Sequence, residues 1–314
     1  MTLRFGIVPF AAATAIALAS TPALAGTGIP TPWEINMQGA ATGVAERMHE
    51  FNTFINIVIG AIVLFVLVLL AICAVRFNEK SNPVPSRTTH NTWLEVAWTI
   101  IPVLVLVAIA VPSFRLLYTQ YDMPQADLTI KATGKQWYWS YEYEASKPVN
   151  AQAAQAGDQA KAETPGEAVA EGASGSASEF GFDSVLVRDE DLKPGQPRLL
   201  TVDNEVVVPV NKVVRLQITG ADVIHSFAMP AFGIKVDAVP GRLSETWFRA
   251  DREGVYHGQC SELCGRDHAF MPITIRVVSQ SEYEAWLGQA RKKFASNDEA
   301  PTTNVADATL VAER

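Results

Sequence analysis

Residues 260–271 read Cys-Ser-Glu-Leu-Cys-Gly-Arg-Asp-His-Ala-Phe-Met. Two thiols, an imidazole and a thioether recur there at Cys260, Cys264, His268 and Met271, at intervals of four, four and three residues. A second imidazole, His225, lies upstream in Asp-Val-Ile-His-Ser-Phe, residues 222–227. Thiolate and thioether are soft donors and imidazole is borderline, a mixture that suits copper in an electron-transfer role better than a hard cation. A one-copper blue site uses a single Cys, so two in one short loop point to two coppers sharing both sulfurs. Two other readings stand beside this one. An oxidising compartment would allow a Cys260–Cys264 disulfide. A structural zinc site would use four Cys/His donors and leave Met271 surplus.

Such a site needs a rigid scaffold, and the rest of the chain divides into an anchor and a β-rich region. Of 314 residues, 48% are hydrophobic. Residues 1–25 carry Arg4, a short apolar stretch and small residues at Ala23 and Ala25; they read as a secretory signal, with an exported segment following at residues 26–52. Residues 54–75 and 96–114 are uncharged, and about 20 apolar residues cross roughly 30 Å of hydrocarbon. The predicted membrane helices are residues 53–76 and 96–119. Arg76, Lys80 and Arg87 place the intervening loop, residues 77–95, in the cytoplasm, so both flanks face the export side. The chain carries a net charge of −8, with the acidic excess after residue 120, which argues against nucleic acid and admits a basic protein partner.

Residues 127–278 read as short alternating strands, clearest in Ile273, Ile275 and Val277, separated by Pro-Gly turns; this predicts a β-sandwich or barrel within residues 120–294. Ser281 and Glu284 fit a capping box opening a last helix that ends near Phe294. Residues 145–179 shift to Ala, Gln, Gly, Glu and Ser and read as a flexible surface insertion; residues 295–314 read as a mobile tail. Cys73 lies inside the first apolar run, where it reads as a small filler.

With the two apolar spans, the exported β region and the metal loop together, the chain resembles subunit II of cytochrome c oxidase. The aromatic segment at residues 134–143 (Gly-Lys-Gln-Trp-Tyr-Trp-Ser-Tyr-Glu-Tyr), Val-Asp-Asn at 202–204, Asp-Ala-Val-Pro-Gly-Arg at 237–242 and Tyr-His-Gly-Gln-Cys-Ser-Glu at 256–262 carry the resemblance. It implies a transmembrane α-helical hairpin followed by an all-β cupredoxin-like Greek-key barrel. It also implies a dinuclear copper centre, CuA, bridged by Cys260 and Cys264. His225 and Met271 would complete one copper, and His268 with the main-chain carbonyl of Glu262 the other.

The same resemblance makes Trp137 the point of electron entry and gives the Glu262 carboxylate a magnesium ion at the junction with subunit I. Glu95, just before the second span, would lie at the mouth of a proton pathway of subunit I. Glu142, Asp203, Glu205 and Asp222 would contribute to an acidic docking rim for cytochrome c. Strand alternation predicts Trp137 and Trp139 on one face and Tyr138 on the other. His49, His90 and His257 lack ligand spacing and read as structural or exposed, and Met229 stays in the background. The function implied is electron input to a proton-translocating oxidase: electrons from cytochrome c pass through the coppers to a haem in subunit I, which reduces oxygen. Other oxidase subunits and membrane lipid are the further partners. A nitric-oxide reductase subunit carrying the same centre, and a membrane-tethered copper-binding or delivery protein, are the alternatives.

Overall fold

The computed structural model describes residues 28–144 and 178–294. The predicted signal, most of the predicted insertion and the predicted tail lie outside the described residues.

Two long helices come first, α1 (Gly43–Arg76) and α2 (Thr92–Tyr121), both long and apolar enough to cross a membrane. Each opens on a side-chain cap: the Thr42 hydroxyl oxygen accepts from the Ala45 N–H, and the Asn91 side-chain oxygen from the Leu94 N–H. At 34 residues, α1 is about 50 Å long, more than hydrocarbon alone requires. Its first turn, with Val44 and Ala45 buried, is packed on the β domain, and this is why α1 starts ten residues before the predicted span. Thr42 also donates to the Phe232 carbonyl at 2.9 Å. The Ala41 N–H donates to the Ala231 carbonyl, and the Ala41 carbonyl accepts from the Asp251 N–H. The start of the helix and the wall of the β domain are thus one hydrogen-bonded unit.

Ten strands follow: β1 (Leu128–Lys135), β2 (Tyr138–Glu144), β3 (Ser178–Ser184), β4 (Val206–Pro209), β5 (Val213–Gly220), β6 (His225–Met229), β7 (Ile234–Ala238), β8 (Ser244–Arg249), β9 (Gly254–Cys260) and β10 (Pro272–Val278). They form two five-stranded sheets, ordered β3-β2-β1-β5-β8 and β4-β10-β9-β6-β7. The β1–β5 and β4–β10 pairs are parallel, which hairpins cannot make. Their crossovers give the cupredoxin-like Greek-key arrangement behind the helical hairpin. Strands β1 and β5 alternate buried and half-buried residues because only one face of their sheet meets the core.

The inner faces interlock through named pairs. Trp139 meets Phe227 edge-on at 5.3 Å, and the Tyr143 hydroxyl donates to the Val207 carbonyl and accepts its N–H. Fully buried side chains such as Phe227 and Leu216 contribute about 1.5–3 kcal/mol each. Gly258 lets the sheet close beside the site: a Cβ there would lie 2.0 Å from the Ala228 carbonyl oxygen, so only glycine lets β9 close on β6 at that point.

Three local readings change. The final helix, α3 (Gln280–Phe294), opens two residues earlier than the predicted box, because Ser279 is the cap: its hydroxyl accepts from the Glu282 N–H and pairs with the Glu282 carboxylate. Strand β3 begins at Ser178, inside the predicted insertion, and Glu179 is held there by Arg291 at 2.5 Å. Trp137 sits in the β1–β2 turn and not on a strand, so alternation does not pair it with Trp139.

Candidate metal centre

Three pieces of chain meet at one end of the second sheet. His225 is the first residue of β6 and Cys260 the last of β9. The β6–β9 register sets Phe227 opposite Cys260, which brings His225 to the mouth of the loop that follows. That loop, residues 261–271, carries Cys264, His268 in a single 3-10 turn, and Met271 just before β10. The Ser261 N–H donates to the Ser226 carbonyl at 3.0 Å and pins the loop to β6.

The donor atoms converge. Cys260 Sγ lies 3.8 Å from Cys264 Sγ, 3.9 Å from His225 Nδ1 and 3.4 Å from the Glu262 carbonyl oxygen. Cys264 Sγ lies 3.4 Å from His268 Nδ1 and 3.5 Å from Met271 Sδ. The ligand atoms of His225, Cys260 and Cys264 are all within 4.8 Å of one another, and all three residues are buried. A sulfur separation of 3.8 Å is far beyond a disulfide's ~2.05 Å, and both cysteines are free. A tetrahedral zinc uses about four donors, fewer than this cluster offers. Three sulfurs and two imidazoles converging at one place fit copper best.

The local electrostatics favour a cation. Burial opposes ionisation of Cys260, but hydrogen bonds with His225 and the neighbouring backbone overcome it and lower its pKa to about 6. Burial and the adjacent Cys260 thiolate push Cys264 up to about 12. The pair therefore holds one negative charge shared by two close sulfurs, and a metal is what allows the second thiol to ionise. Burial disfavours the charged form of His225, yet its hydrogen bonds with Cys260 and Asp222 leave its pKa raised.

Asp222 is the residue sequence reasoning missed in this role. His225 Nε2 donates to its Oδ1 at 2.8 Å, which leaves Nδ1 free to face the sulfurs. A carboxylate behind a ligating imidazole fixes its tautomer and raises its basicity. Burial resists the charge on Asp222, but hydrogen bonds from His225, Val223 and Gln136 hold its pKa down. The Gln136 N–H donates to the other oxygen at 2.7 Å, which ties the β1–β2 turn to the same carboxylate. From that turn the Gln136 amide and the Trp137 indole N–H both donate to the Cys264 carbonyl, at 2.8 and 3.2 Å. Trp137 is thus half-buried against the metal loop, with the Arg266 guanidinium 5.5 Å from its ring. Only the carboxylate three residues before His225 was visible as a signal in the sequence, and nothing there marked Gln136.

The remaining candidates lie apart from this cluster. Glu262 is exposed on the metal loop, and only its main-chain oxygen reaches Cys260. Glu95 is in the first turn of α2, about 40 Å of helix from the β domain. Glu142 and Glu205 are already paired, with Lys131 at 2.9 Å and Arg276 at 2.8 Å, and Asp203 accepts from the Val185 and Asn204 N–H groups. His257 is buried, bonded to the Leu200 carbonyl and Thr274, with its pKa lowered by burial; it is structural. Met229 is core.

The family model for the cytochrome c oxidase subunit II periplasmic domain matches residues 128–165 and 173–278, and the model for its transmembrane domain matches residues 30–116. The cytochrome c oxidase subunit 2 of Cereibacter sphaeroides is 47% identical over 289 residues, 91% of this chain and 89% of that protein. The probable cytochrome c oxidase subunit 2 of Rickettsia bellii is 45% identical over 270 residues, 86% of this chain and 88% of that protein. The crystal structure of the periplasmic domain of subunit II of the Bradyrhizobium japonicum cytochrome oxidase is 55% identical and covers 55% of this chain and 99% of its own, with a TM-score of 0.42.

Proposed function

We infer the role of this chain from a plain premise: it belongs to the cytochrome c oxidase subunit II family, and so is a subunit of an oxidoreductase complex. It is the electron-input subunit. Cys260 and Cys264, with His225, His268, Met271 and the Glu262 carbonyl, would hold a pair of coppers. When bound, the copper pair supplies a one-electron relay between cytochrome c outside and a haem of subunit I within. The observation that carries this reading is the convergence of two imidazoles, a thioether and a carbonyl on two free thiols 3.8 Å apart.

The chain's own residues do the rest. The buried cysteines, His225 and Met271 keep water from the donor atoms, and a loop fastened to β6 resists rearrangement when the charge changes. Trp137 admits the electron, because its indole touches solvent on one side and is bonded to the Cys264 carbonyl on the other. Around the loop, Val223, Ile224, Leu263 and Phe270 are exposed, Leu263 at 78%; these apolar side chains seat the oxidase partner. Glu262, exposed among them, supplies a magnesium ligand at that junction, and Glu95 serves a proton pathway at the opposite end of α2. The hairpin sits in the bacterial inner membrane with the metal domain on the periplasmic side, and with Arg76, Lys80 and Arg87 in the cytoplasm.

Copper stoichiometry combined with electron paramagnetic resonance tests the reading. The full chain is the material of choice, since residues 40–42 bond to the β domain. Two coppers per chain sharing one unpaired electron are expected; a single localised copper, or zinc, overturns the ligand assignment.

A further inference from the structure

Where the hairpin leaves the apolar span on the domain side, α1 and α2 enclose a crevice of about 380 Å³ lined by eight residues of opposite character. Its floor is apolar: Phe51, Phe54, Pro112 and Leu116. Its rim carries two guanidiniums, Arg47 and Arg115, and one carboxylate, Glu50. Arg47 donates to the Thr119 hydroxyl at 2.9 Å, and that hydroxyl donates to the Arg115 carbonyl, which draws the two arginine-bearing turns together. The Arg115 guanidinium and the Glu50 carboxylate have no side-chain partner among the described residues.

Depth places these groups. Arg115 directly follows Phe114, the end of the uncharged run in α2, and Arg47 lies two turns, about 10 Å, before Phe54 on α1. Arg115 and Glu50 therefore stand in the headgroup layer, which adds about 5–8 Å to each side of the hydrocarbon, and Arg47, whose backbone lies just outside it, reaches back with its long side chain. Two guanidiniums against one carboxylate leave the lining with a charge of +1, and the planar guanidinium forks match phosphate oxygens. The carboxylate beside them matches a cation attached to that same anion.

We propose that this crevice binds one phosphatidylethanolamine molecule of the domain-side leaflet. Arg47 and Arg115 take its phosphodiester, Glu50 takes its ammonium, and an acyl chain runs over Phe54 and Pro112. The site is independent of the copper centre: none of its lining residues is a candidate metal ligand.

The test uses the complete oxidase complex containing this chain, purified in detergent and analysed by quantitative lipid mass spectrometry, with exchange followed against isotope-labelled phosphatidylethanolamine, phosphatidylglycerol and inorganic phosphate. Wild type should retain one phosphatidylethanolamine more than the R47Q/R115Q double variant. Arg115→Gln alone breaks no side-chain bond in the protein and should speed exchange about 10- to 100-fold, the loss expected for a charge-assisted phosphate contact. Glu50→Gln should keep a phospholipid but lose the preference for phosphatidylethanolamine over phosphatidylglycerol. Copper content should be unchanged in all three variants, which separates this test from that of the copper reading. Equal retention in wild type and Arg115→Gln overturns the proposal. So does displacement by inorganic phosphate, equal preference for the two lipids in wild type, or a neighbouring subunit's side chains filling the crevice in an electron cryo-microscopy map of the complex.

Discussion

Replacing Gly134 by Ala should weaken the metal site through His225. Gly134 lies in β1 with ordinary extended backbone, and an added Cβ would lie 2.9 Å from the His225 Cβ, Cγ and Cδ2. Ordinary contact begins near 3.4 Å, so the imidazole must yield by about half an ångström. It has nowhere to go: His225 is fully buried, with the Trp139 ring 6.1 Å away edge-on and Asp222 holding its far nitrogen. Overpacking of this kind costs about 1–3 kcal/mol. The gain from replacing glycine within a strand offsets about 0.5–1 kcal/mol, so the metal-free protein should lose no more than about 2.5 kcal/mol. The effect on copper should be larger, because the displaced Nδ1 no longer points at Cys260. Disturbing the support of a ligating imidazole typically costs about 10- to 100-fold in metal affinity, or about 1.4–2.8 kcal/mol. Copper titration with paramagnetic resonance, alongside melting curves with and without copper, separates the two terms. A variant that takes up copper with wild-type affinity and spectrum would refute the placement of His225 against β1.

Other perturbations probe the surroundings of the site. Asp222→Asn can no longer accept from both the His225 ring and the Gln136 N–H, and copper affinity should fall about 10- to 100-fold by titration while the fold survives by circular dichroism. Copper uptake should release protons. Cys264, pushed up to about 12, keeps its proton at neutral pH while Cys260, lowered to about 6, does not, so protons compete with the metal at Cys264. Affinity should therefore rise with pH, by about tenfold per unit between roughly pH 8 and 9, with about one proton released per site in a weakly buffered titration; pH-independent binding would contradict this. Gly288→Ala, in α3 with nothing within 4 Å of the new methyl, should raise the denaturation midpoint by the equivalent of about 0.5–1 kcal/mol with copper content unchanged.

The local parts of this protein were determined by its sequence. Apolar runs of membrane length predict α1 and α2 wherever the rest of the chain lies, and one loop carries Cys260, Cys264, His268 and Met271 at spacings that cluster them. Alternation sufficed for β1 and β5, where one side of each strand faces the core; β10 alternates in sequence as well, yet nearly all of it is buried, because it lies between β4 and β9 inside its sheet. Choices between equally good local signals needed the tertiary structure: Ser279 and not Ser281 caps α3, and α1 extends back to Gly43 because its first turn has a surface to bury against.

What only the tertiary structure decided was how distant segments meet. The Phe227–Cys260 register delivers His225 to the loop, and the parallel β1–β5 pairing sets the Gln136–Trp137 turn beside Asp222 and Cys264. Asp222 reads in sequence as one surface acid among several; its bond to His225 spans three residues, and what the tertiary structure adds is the Gln136 N–H from the β1–β2 turn on its other oxygen. Spacing along a chain constrains only what a few bonds can reach. That His225 Nδ1 comes within 3.9 Å of the Cys260 sulfur, and that the Cys264 carbonyl holds Trp137 from 127 residues away, depend on segments brought together only by the packing of two sheets on one core.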